Sequence, residues 1–381
     1  MPLPSALAPP RVLHVSQPVD GGVARVVVDL VTAQAAAGAD VHVACPPEGL
    51  LPAVLGALGP GVRVHPWAAT RSPGPGLRAE IRDLKRIVDA TGPALVHAHS
   101  AKAGLAARLA LRGAVPTVFQ PHAWSFEAVG GVTALLARRW ERSAARWTAR
   151  IVCVSEAEWV TGLRAGINGS YTVVPNGVDT GRFRPATPGG PPGARVPLVV
   201  CVGRLCRQKG QDVLLRAWPA VAARVPEARL VLVGDGPDAD RLRARAGPRV
   251  AFAGEAADAA PWYRAADVVV LPSRWEGMAL APLEAMACAR PVVVTDVDGA
   301  RESLPRTDRG HALVPPEDPG ALARALVAVL RDGELRDALG RRGRQHVLDH
   351  HDARHAAAAI DAVYGEVLGT APSRHRECTT T

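Results

Sequence analysis

Two glutamates eight residues apart, Glu276 and Glu284, stand in the segment Ser273-Arg274-Trp275-Glu276-Gly277-Met278-Ala279-Leu280-Ala281-Pro282-Leu283-Glu284-Ala285-Met286-Ala287. Carboxylates accept hydrogen bonds from sugar hydroxyls, and backbone amides donate to phosphate oxygens. Two acids beside free amides at Gly277, Met278 and Ala279 therefore suit a polyhydroxylated, anionic ligand. Pro282 fits a first helical position, which puts Glu284 in the first turn and Glu276 on the loop before it. The same residues also suit a plain surface loop and a glutamate that only offsets the helix dipole.

Cations occur at a second place of interest. Arg204 and Lys209 lie in Val202-Gly203-Arg204-Leu205-Cys206-Arg207-Gln208-Lys209-Gly210, directly after an apolar run. Two cations on such a loop can clamp a diphosphate, or can be ordinary surface charge. The chain has only three lysines, Lys85, Lys102 and Lys209, among 45 basic residues. Glycine pairs at Gly21-Gly22 and Gly234-Asp235-Gly236 allow close backbone approach to a ligand, or simple tight turns. His99 and His122 follow strand-like runs, where a histidine can orient a hydroxyl or move a proton. Asp296-Val297-Asp298 is a D-x-D that holds metal in some sugar-transferring enzymes, and Glu302, just beyond it, could face the same crevice. No histidine, cysteine and carboxylate set has zinc spacing, so no metal site is expected.

These residues need strand ends to hold them. Strand-like runs fall at 11–16, 40–45, 62–66, 94–98, 116–120, 150–154 and 171–174, with helical patterns between most of them. A second series falls at 198–202, 229–233, 250–253, 267–271 and 291–295. Such alternation predicts parallel sheets wrapped by helices. Ligands bind such sheets beyond the carboxyl ends of the strands, where the candidate residues lie. A Pro- and Gly-rich stretch marks the boundary. The expected organisation is a first domain at 1–179, a linker at 180–197, a second domain at 198–350, a closing helix at 351–368 and a disordered tail at 369–381.

Residues 133–150 read as an amphipathic helix. Leu136, Trp140, Ala144 and Trp147 share one face, with Arg138, Arg139, Arg142, Arg146 and Arg150 on the other. Such a helix suits its own sheet or an anionic membrane surface.

With 381 residues and 48% apolar content, the chain can build two cores. The net charge of +9 suits an acidic partner. Aromatic residues are few, and no basic-aromatic module points to nucleic acid. No apolar run reaches the ~18 residues of a membrane span, and the opening residues lack a secretory pattern. The six scattered cysteines read as reduced thiols. A cytoplasmic protein is expected.

These motifs together resemble the group 1 glycosyltransferases of family 4. The resemblance covers roughly residues 11–365. It rests on the E-x7-E element from Glu276 to Glu284, supported by G-R-L-C-R-Q-K-G, V-P-N-G-V-D, G-D-G-P and the early D-G-G. It implies an α/β GT-B fold, with two Rossmann-like domains facing across a cleft and a final helix returning to the first domain. It further implies a retaining, metal-independent transfer from a UDP- or GDP-sugar to a hydroxyl acceptor, with no cofactor. Arg204 and Lys209 would grip the diphosphate, Glu284 the ribose and Glu276 the donor sugar. Amides of Gly277, Met278, Ala279 and Leu280 would help, as would Gly236. Gly22 would abut the donor, and His122 would lie near the transferred sugar. Gly21 and His99 would fall on the acceptor side.

Three positions depart from the family pattern: Met278-Ala279 for Phe-Gly, Asp298-Gly299 for Gly-Gly, and Ala289 for Gly. All three are expected to touch the donor pocket. The first domain's H-S-A-K-A-G and P-H-A-W-S-F resemble exopolysaccharide and lipid-linked-glycan enzymes, whose acceptors sit at the inner face of a membrane. The other readings are a nucleotide-sugar epimerase of the same fold and a non-catalytic nucleotide-sugar binder. An epimerase would need acid and base residues at the sugar and no acceptor.

Overall fold

The computed structural model describes residues 10–186 and 196–370. Most of the expected tail, part of the expected linker and the first nine residues lie outside the described residues.

Among the described residues, seven parallel strands form the first sheet: β1 (Val12–Ser16), β2 (Val41–Cys45), β3 (Val62–Pro66), β4 (Leu95–His99), β5 (Thr117–Gln120), β6 (Arg150–Cys153) and β7 (Tyr171–Val173), ordered β3-β2-β1-β4-β5-β6-β7. Six more form the second: β8 (Leu198–Val202), β9 (Arg229–Val233), β10 (Val250–Gly254), β11 (Val268–Leu271), β12 (Val292–Thr295) and β13 (Leu313–Val314), ordered β10-β9-β8-β11-β12-β13. The two-residue β13 is too short to leave a sequence pattern. The order of the strands reverses once in each sheet, between β1 and β4 and between β8 and β11. At each reversal the following loops diverge to opposite faces and leave a crevice.

The central strands β1, β4, β8, β11 and β12 are almost wholly buried, as helix-covered parallel strands should be. The closing helix, Ala353–Val367, packs on the first sheet and not the second. Ile360, Val363 and Tyr364 join Val12, Leu30, Leu95, Val118 and Val152 in one apolar cluster. The chain crosses between the sheets where Val178 pairs with Asp352, fixed by Val178 N–H to His351 O at 2.8 Å and Ala353 N–H to Val178 O at 3.0 Å.

Two sequence expectations need correction. The arginine-rich helix runs only Gly131–Ala144, and a 3-10 turn and β6 take the rest. Its buried face is Glu141 and Ala144, while Leu136 is 58% exposed beside Val132 at 73% and Leu135 at 52%. The helix after Glu276 begins at Leu280, two residues before Pro282. Glu284 therefore sits in the second turn, outside the reach of the terminal dipole.

Candidate functional site

The loop after β8 and the loop after β11 meet at the second sheet's reversal. Lys209 lies in a 3-10 turn, Arg207–Lys209, and its Nζ stands 2.5 Å from Glu276 Oε1. Ser273 Oγ donates to the same oxygen at 2.7 Å, and Gln208 Nε2 donates to the Trp275 carbonyl at 3.0 Å. The β8 loop can turn this tightly because Gly210 has φ +65° and a Cβ there would lie 2.0 Å from Pro272 O. The N–H groups of Gly277, Met278, Ala279 and Leu280 bond no described residue. One ammonium and one carboxylate thus meet between two adjoining loops, and four amides without a described partner follow directly in the chain.

Glu284 stands in separate surroundings. Tyr263 Oη donates to Glu284 Oε2 at 2.6 Å. Burial raises the Glu284 pKa, and Tyr263, Arg25 and Arg182 act against that. Arg25 and its neighbour Asp29 belong to the opening helix of the first domain, Gly21–Ala36. Burial pushes Asp29 up to about 7. Gly22, at the start of that helix, faces Leu280, with 4.0 Å from a Cβ there to Leu280 Cγ. Gly21 is exposed with φ +78°.

Arg204 is exposed, and the charge it faces comes from the first domain. Burial and then Arg204 lower the pKa of Arg71, on the loop after β3. Two guanidiniums in mutual reach across a cleft favour an anion between them. Gly236 has φ +158°, and a Cβ there would lie 2.4 Å from Leu205 O. It locks its loop against the Arg204 loop, together with Leu205 N–H to Asp235 O at 2.9 Å.

The first domain meets this site through the loop after β5. His122 and Ala123 both have positive φ, 57° and 103°. Consecutive left-handed non-glycine residues cost of the order of 1–2 kcal/mol each. The buried Glu158 carboxylate holds them, accepting from Ala123 N–H at 2.5 Å and Val154 N–H at 2.7 Å. Burial pushes Glu158 up to about 7 and His122 down to about 3. Gly277 packs on this loop, since a Cβ there would lie 2.9 Å from Ala123 N. Ser155 Oγ donates to Gly277 O at 3.0 Å, and Asn176 Nδ2 to Met278 O at 2.8 Å.

Several expected roles change. His99 is fully buried, and both its ring nitrogens are engaged, by His14 at 3.1 Å and His122 at 3.3 Å. It has no nitrogen left for an acceptor. Glu302 does not face the crevice. It accepts from the Glu156 and Ala157 amides at 2.7 and 3.0 Å, capping a first-domain helix, Glu156–Arg164. Asp296 pairs with Arg301, and Asp298 accepts from Thr161 at 2.8 Å. The D-x-D thus serves contacts to other residues. Ala289 lies beyond the far end of the Leu280–Ala287 helix against Gly340, away from the donor crevice. Gly299, with φ +73°, does touch the site, since a Cβ there would lie 1.9 Å from Gly277 O.

Sequence reasoning missed Tyr263, Arg25, Asp29, Arg71, Ser155 and Glu158. Only Tyr263 and Glu158 left a signal, as polar groups at apolar positions of a helical pattern.

Two opposed doubly wound sheets with the ligand-ready loops at their junction define the GT-B class. The fold matches an Anabaena protein, Alr3699/HepE, in complex with UDP-glucose, at a TM-score of 0.80 and 20% identity, over 94% of this chain and all of that one. It also matches sucrose-phosphate synthase from Thermosynechococcus elongatus, at 0.78 and 24%, over 95% of this chain and all of that one. Residues 20–182 match the family described as Glycosyltransferase Family 4, and residues 196–332 the one described as Glycosyl transferases group 1. The chain belongs to this family of glycosyltransferases.

Among its relatives is a lipopolysaccharide core biosynthesis mannosyltransferase, LpcC, of Rhizobium leguminosarum bv. viciae, 36% identical over 52% of this chain and 60% of that protein. Another is a GDP-mannose-dependent monoacylated alpha-(1-6)-phosphatidylinositol monomannoside mannosyltransferase of Corynebacterium glutamicum, 35% identical over 48% and 52%. The aligned stretches thus span only about half to three-fifths of these relatives. An alpha-maltose-1-phosphate synthase of Mycolicibacterium smegmatis is 29% identical over 80% of this chain and 87% of that protein.

Proposed function

We propose that this chain transfers a glycosyl group from a nucleoside diphosphate sugar to a hydroxyl of a glycan or lipid-linked acceptor. The observation that carries this reading is the contact of Lys209 with Glu276 between the loops after β8 and β11, followed directly by four amides without a described partner. Lys209 and Arg204 neutralise the charge that grows on the departing diphosphate. Glu276, oriented by Ser273 and Lys209, binds the sugar hydroxyls, and Glu284 with Tyr263 binds the ribose. Gly236 shapes the loop that lets Arg204 reach the phosphates, and Gly22 closes over the donor.

Transfer proceeds with retention of configuration and without metal. The acceptor hydroxyl oxygen bonds the anomeric carbon on the face from which the diphosphate departs, the bond from that carbon to the phosphate oxygen breaks, and the leaving phosphate takes the hydroxyl's proton, while His122 orients the acceptor or the transferred sugar. The acceptor enters from the first domain past Gly21. Closure of the two domains over the donor excludes water.

Relatives named for GDP-mannose and for lipid-linked acceptors make GDP-mannose the first donor to try. The exposed Val132, Leu135 and Leu136, flanked by Arg138, Arg139 and Arg142, suit contact with an anionic membrane that carries such an acceptor. This would place the enzyme peripherally on the inner face of the membrane. No helix among the described residues is long and apolar enough to cross a membrane.

The test is incubation with labelled GDP-mannose, GDP-glucose, UDP-glucose and UDP-N-acetylglucosamine, with and without extracted lipid acceptors and EDTA. A glycosylated lipid with the donor's anomeric configuration, formed equally in EDTA, is expected. Epimerised nucleotide sugar with no transfer would replace this reading by an isomerase, and no turnover of any donor would remove it.

A further inference from the structure

The first domain hides a line of polar groups beneath its core. β1 and β4 pair in register, His14 beside His97 and Ser16 beside His99, so all three histidines point to one face of the sheet. That face is covered by the opening and closing helices. His14, His97 and His99 are each fully buried, and burial lowers the pKa of all three, His14 to about 4. With His122 at about 3, every ring in the line is neutral at neutral pH. Each neutral ring therefore has one N–H and one lone pair.

We propose that hydrogen bonds running from Asp361 through Gln34, His14 and His99 dictate which nitrogen of His122 carries its proton. An ionised carboxylate only accepts, so the Gln34 group 2.8 Å from Asp361 Oδ1 is its Nε2 amide. Gln34 Oε1 then faces His14 Nε2 at 2.9 Å and requires N–H there. His14 Nδ1 is left as a lone pair and takes the proton of His99 Nε2, 3.1 Å away. His99 Nδ1 in turn accepts from His122 Nε2 at 3.3 Å. His122 Nδ1 remains unprotonated, with no partner among the described residues. The carboxylate on the closing helix thus sets the polarity of a side chain at the loop against Gly277. Asp361 and Gln34 are positioning residues, and His122 Nδ1 is an acceptor for a donor hydroxyl. The consequence for transfer rests on the function proposed above, whereas the tautomer does not.

A metal ion bound by His14, His97 and His99 is the competing arrangement, since their nitrogens lie within 4.8 Å of one another. The ring geometry opposes it. His14 and His99 have centroids 5.4 Å apart with nitrogens 3.1 Å apart, and His99 and His122 have 5.6 and 3.3 Å. Each centroid separation exceeds the nitrogen separation by about one ring width. The nitrogens therefore face each other head on, as in an N–H···N bond, and their lone pairs do not converge on an ion to one side. His14 and His99 are each engaged through both ring nitrogens, while His97 bonds Tyr364 Oη through Nδ1 at 2.6 Å and its buried Nε2 has no hydrogen-bond partner among the described residues.

The test reads the tautomer directly, by two-bond proton–nitrogen NMR correlations of histidine-labelled protein. In the wild type His122 is expected as the Nε2–H form. Asp361→Ala, a surface change, and Gln34→Met each release the line and are expected to give mixed or reversed tautomers at His122. The exchanged pair Gln34→Glu with Asp361→Asn keeps an acceptor beside His14 Nε2 and a donor beside that acceptor, so it is expected to restore the Nε2–H form. In the transfer assay, the two releasing variants are expected to lower kcat roughly tenfold with the donor KM nearly unchanged, and the exchanged pair to recover it. An Nδ1–H form in the wild type would overturn the proposal. So would a His122 tautomer indifferent to both releasing variants, or a stoichiometric metal ion that EDTA removes with a change in the histidine spectra.

Discussion

The two sheets share a topology but carry their polar groups in opposite ways. In the second domain the central strands are apolar, Val268–Leu271 and Val292–Thr295 among them, and the charged chemistry stands on the loops beyond their ends. In the first domain the corresponding strands β1 and β4 carry His14, His97 and His99 inside the core. Ion pairs are buried there too, Lys102 with Glu80 at 2.5 Å and Arg108 with Glu141 at 2.8 Å. Buried pairs contribute little net stability but are costly to break. The difference suits a division of labour. Loops that grip a charged donor need water to exchange with ligand, while a loop that presents one oriented imidazole needs a rigid, dry support.

The sharpest way to break this comparison is to remove the donor grip. Lys209→Ala is expected to weaken donor binding, and Glu276→Ala mainly to slow transfer, each lowering kcat/KM by roughly 100- to 1000-fold. Because the two side chains touch, the double variant should lose far less than the product of the two effects. Steady-state kinetics with the preferred donor would check this, and fully multiplicative losses would mean that the pair does not act as a unit.

Glu158 tests the dry support of the first domain. Its folded pKa of about 7 lies above the ordinary 4.5, so its protonated form is favoured in the fold. Its stabilising contribution is complete below 4.5 and is lost as pH rises through about 7, a difference of about 3 kcal/mol. Urea titrations at pH 4.5 and 8 should show the wild type losing that much relative to Glu158→Gln. Parallel profiles would place the carboxylate in a wetter site.

A weaker effect is expected at the arginine-rich helix. Leu135→Ser with Leu136→Ser should reduce binding to anionic vesicles roughly tenfold, on the order of two buried side chains' transfer energy after partial insertion. The melting temperature should stay within about 2 °C, because both side chains are more than half exposed. Co-sedimentation with phosphatidylglycerol vesicles would measure the binding. The smallest effect belongs to Ala289, which holds a left-handed φ of 56° after the Leu280–Ala287 helix. Ala289→Gly should stabilise the fold by about 1 kcal/mol without changing transfer.

The same contrast explains what could be read from the sequence. The strand alternation, the reversal-point loops and the acid and base motifs of the second domain are local in the chain, so Glu276, Lys209 and Glu284 could be found by spacing. The start of the Leu280–Ala287 helix could not, because Pro282 fits any of the first few helical positions and the free amides of Gly277 to Leu280 leave no residue signature. The polar line of the first domain was hidden for another reason. Its members, His14, Gln34, His99 and Asp361, come from four elements, with Gln34 and Asp361 separated by 327 positions. His99 looked like a strand-end ligand because periodicity does not reveal which neighbours will cover it. Glu302 and Asp298 likewise looked like crevice residues, and only the packing of the two domains assigns them to the Glu156–Arg164 helix.

The donor site is tested most directly by calorimetric titration of GDP and UDP into the wild type, Lys209→Ala and His122→Ala. The preferred nucleotide is expected to bind the wild type, to lose at least tenfold in affinity in Lys209→Ala, and to bind His122→Ala about as well as the wild type. Equal binding to Lys209→Ala, or loss confined to His122→Ala, would contradict a donor held by the second domain's loops.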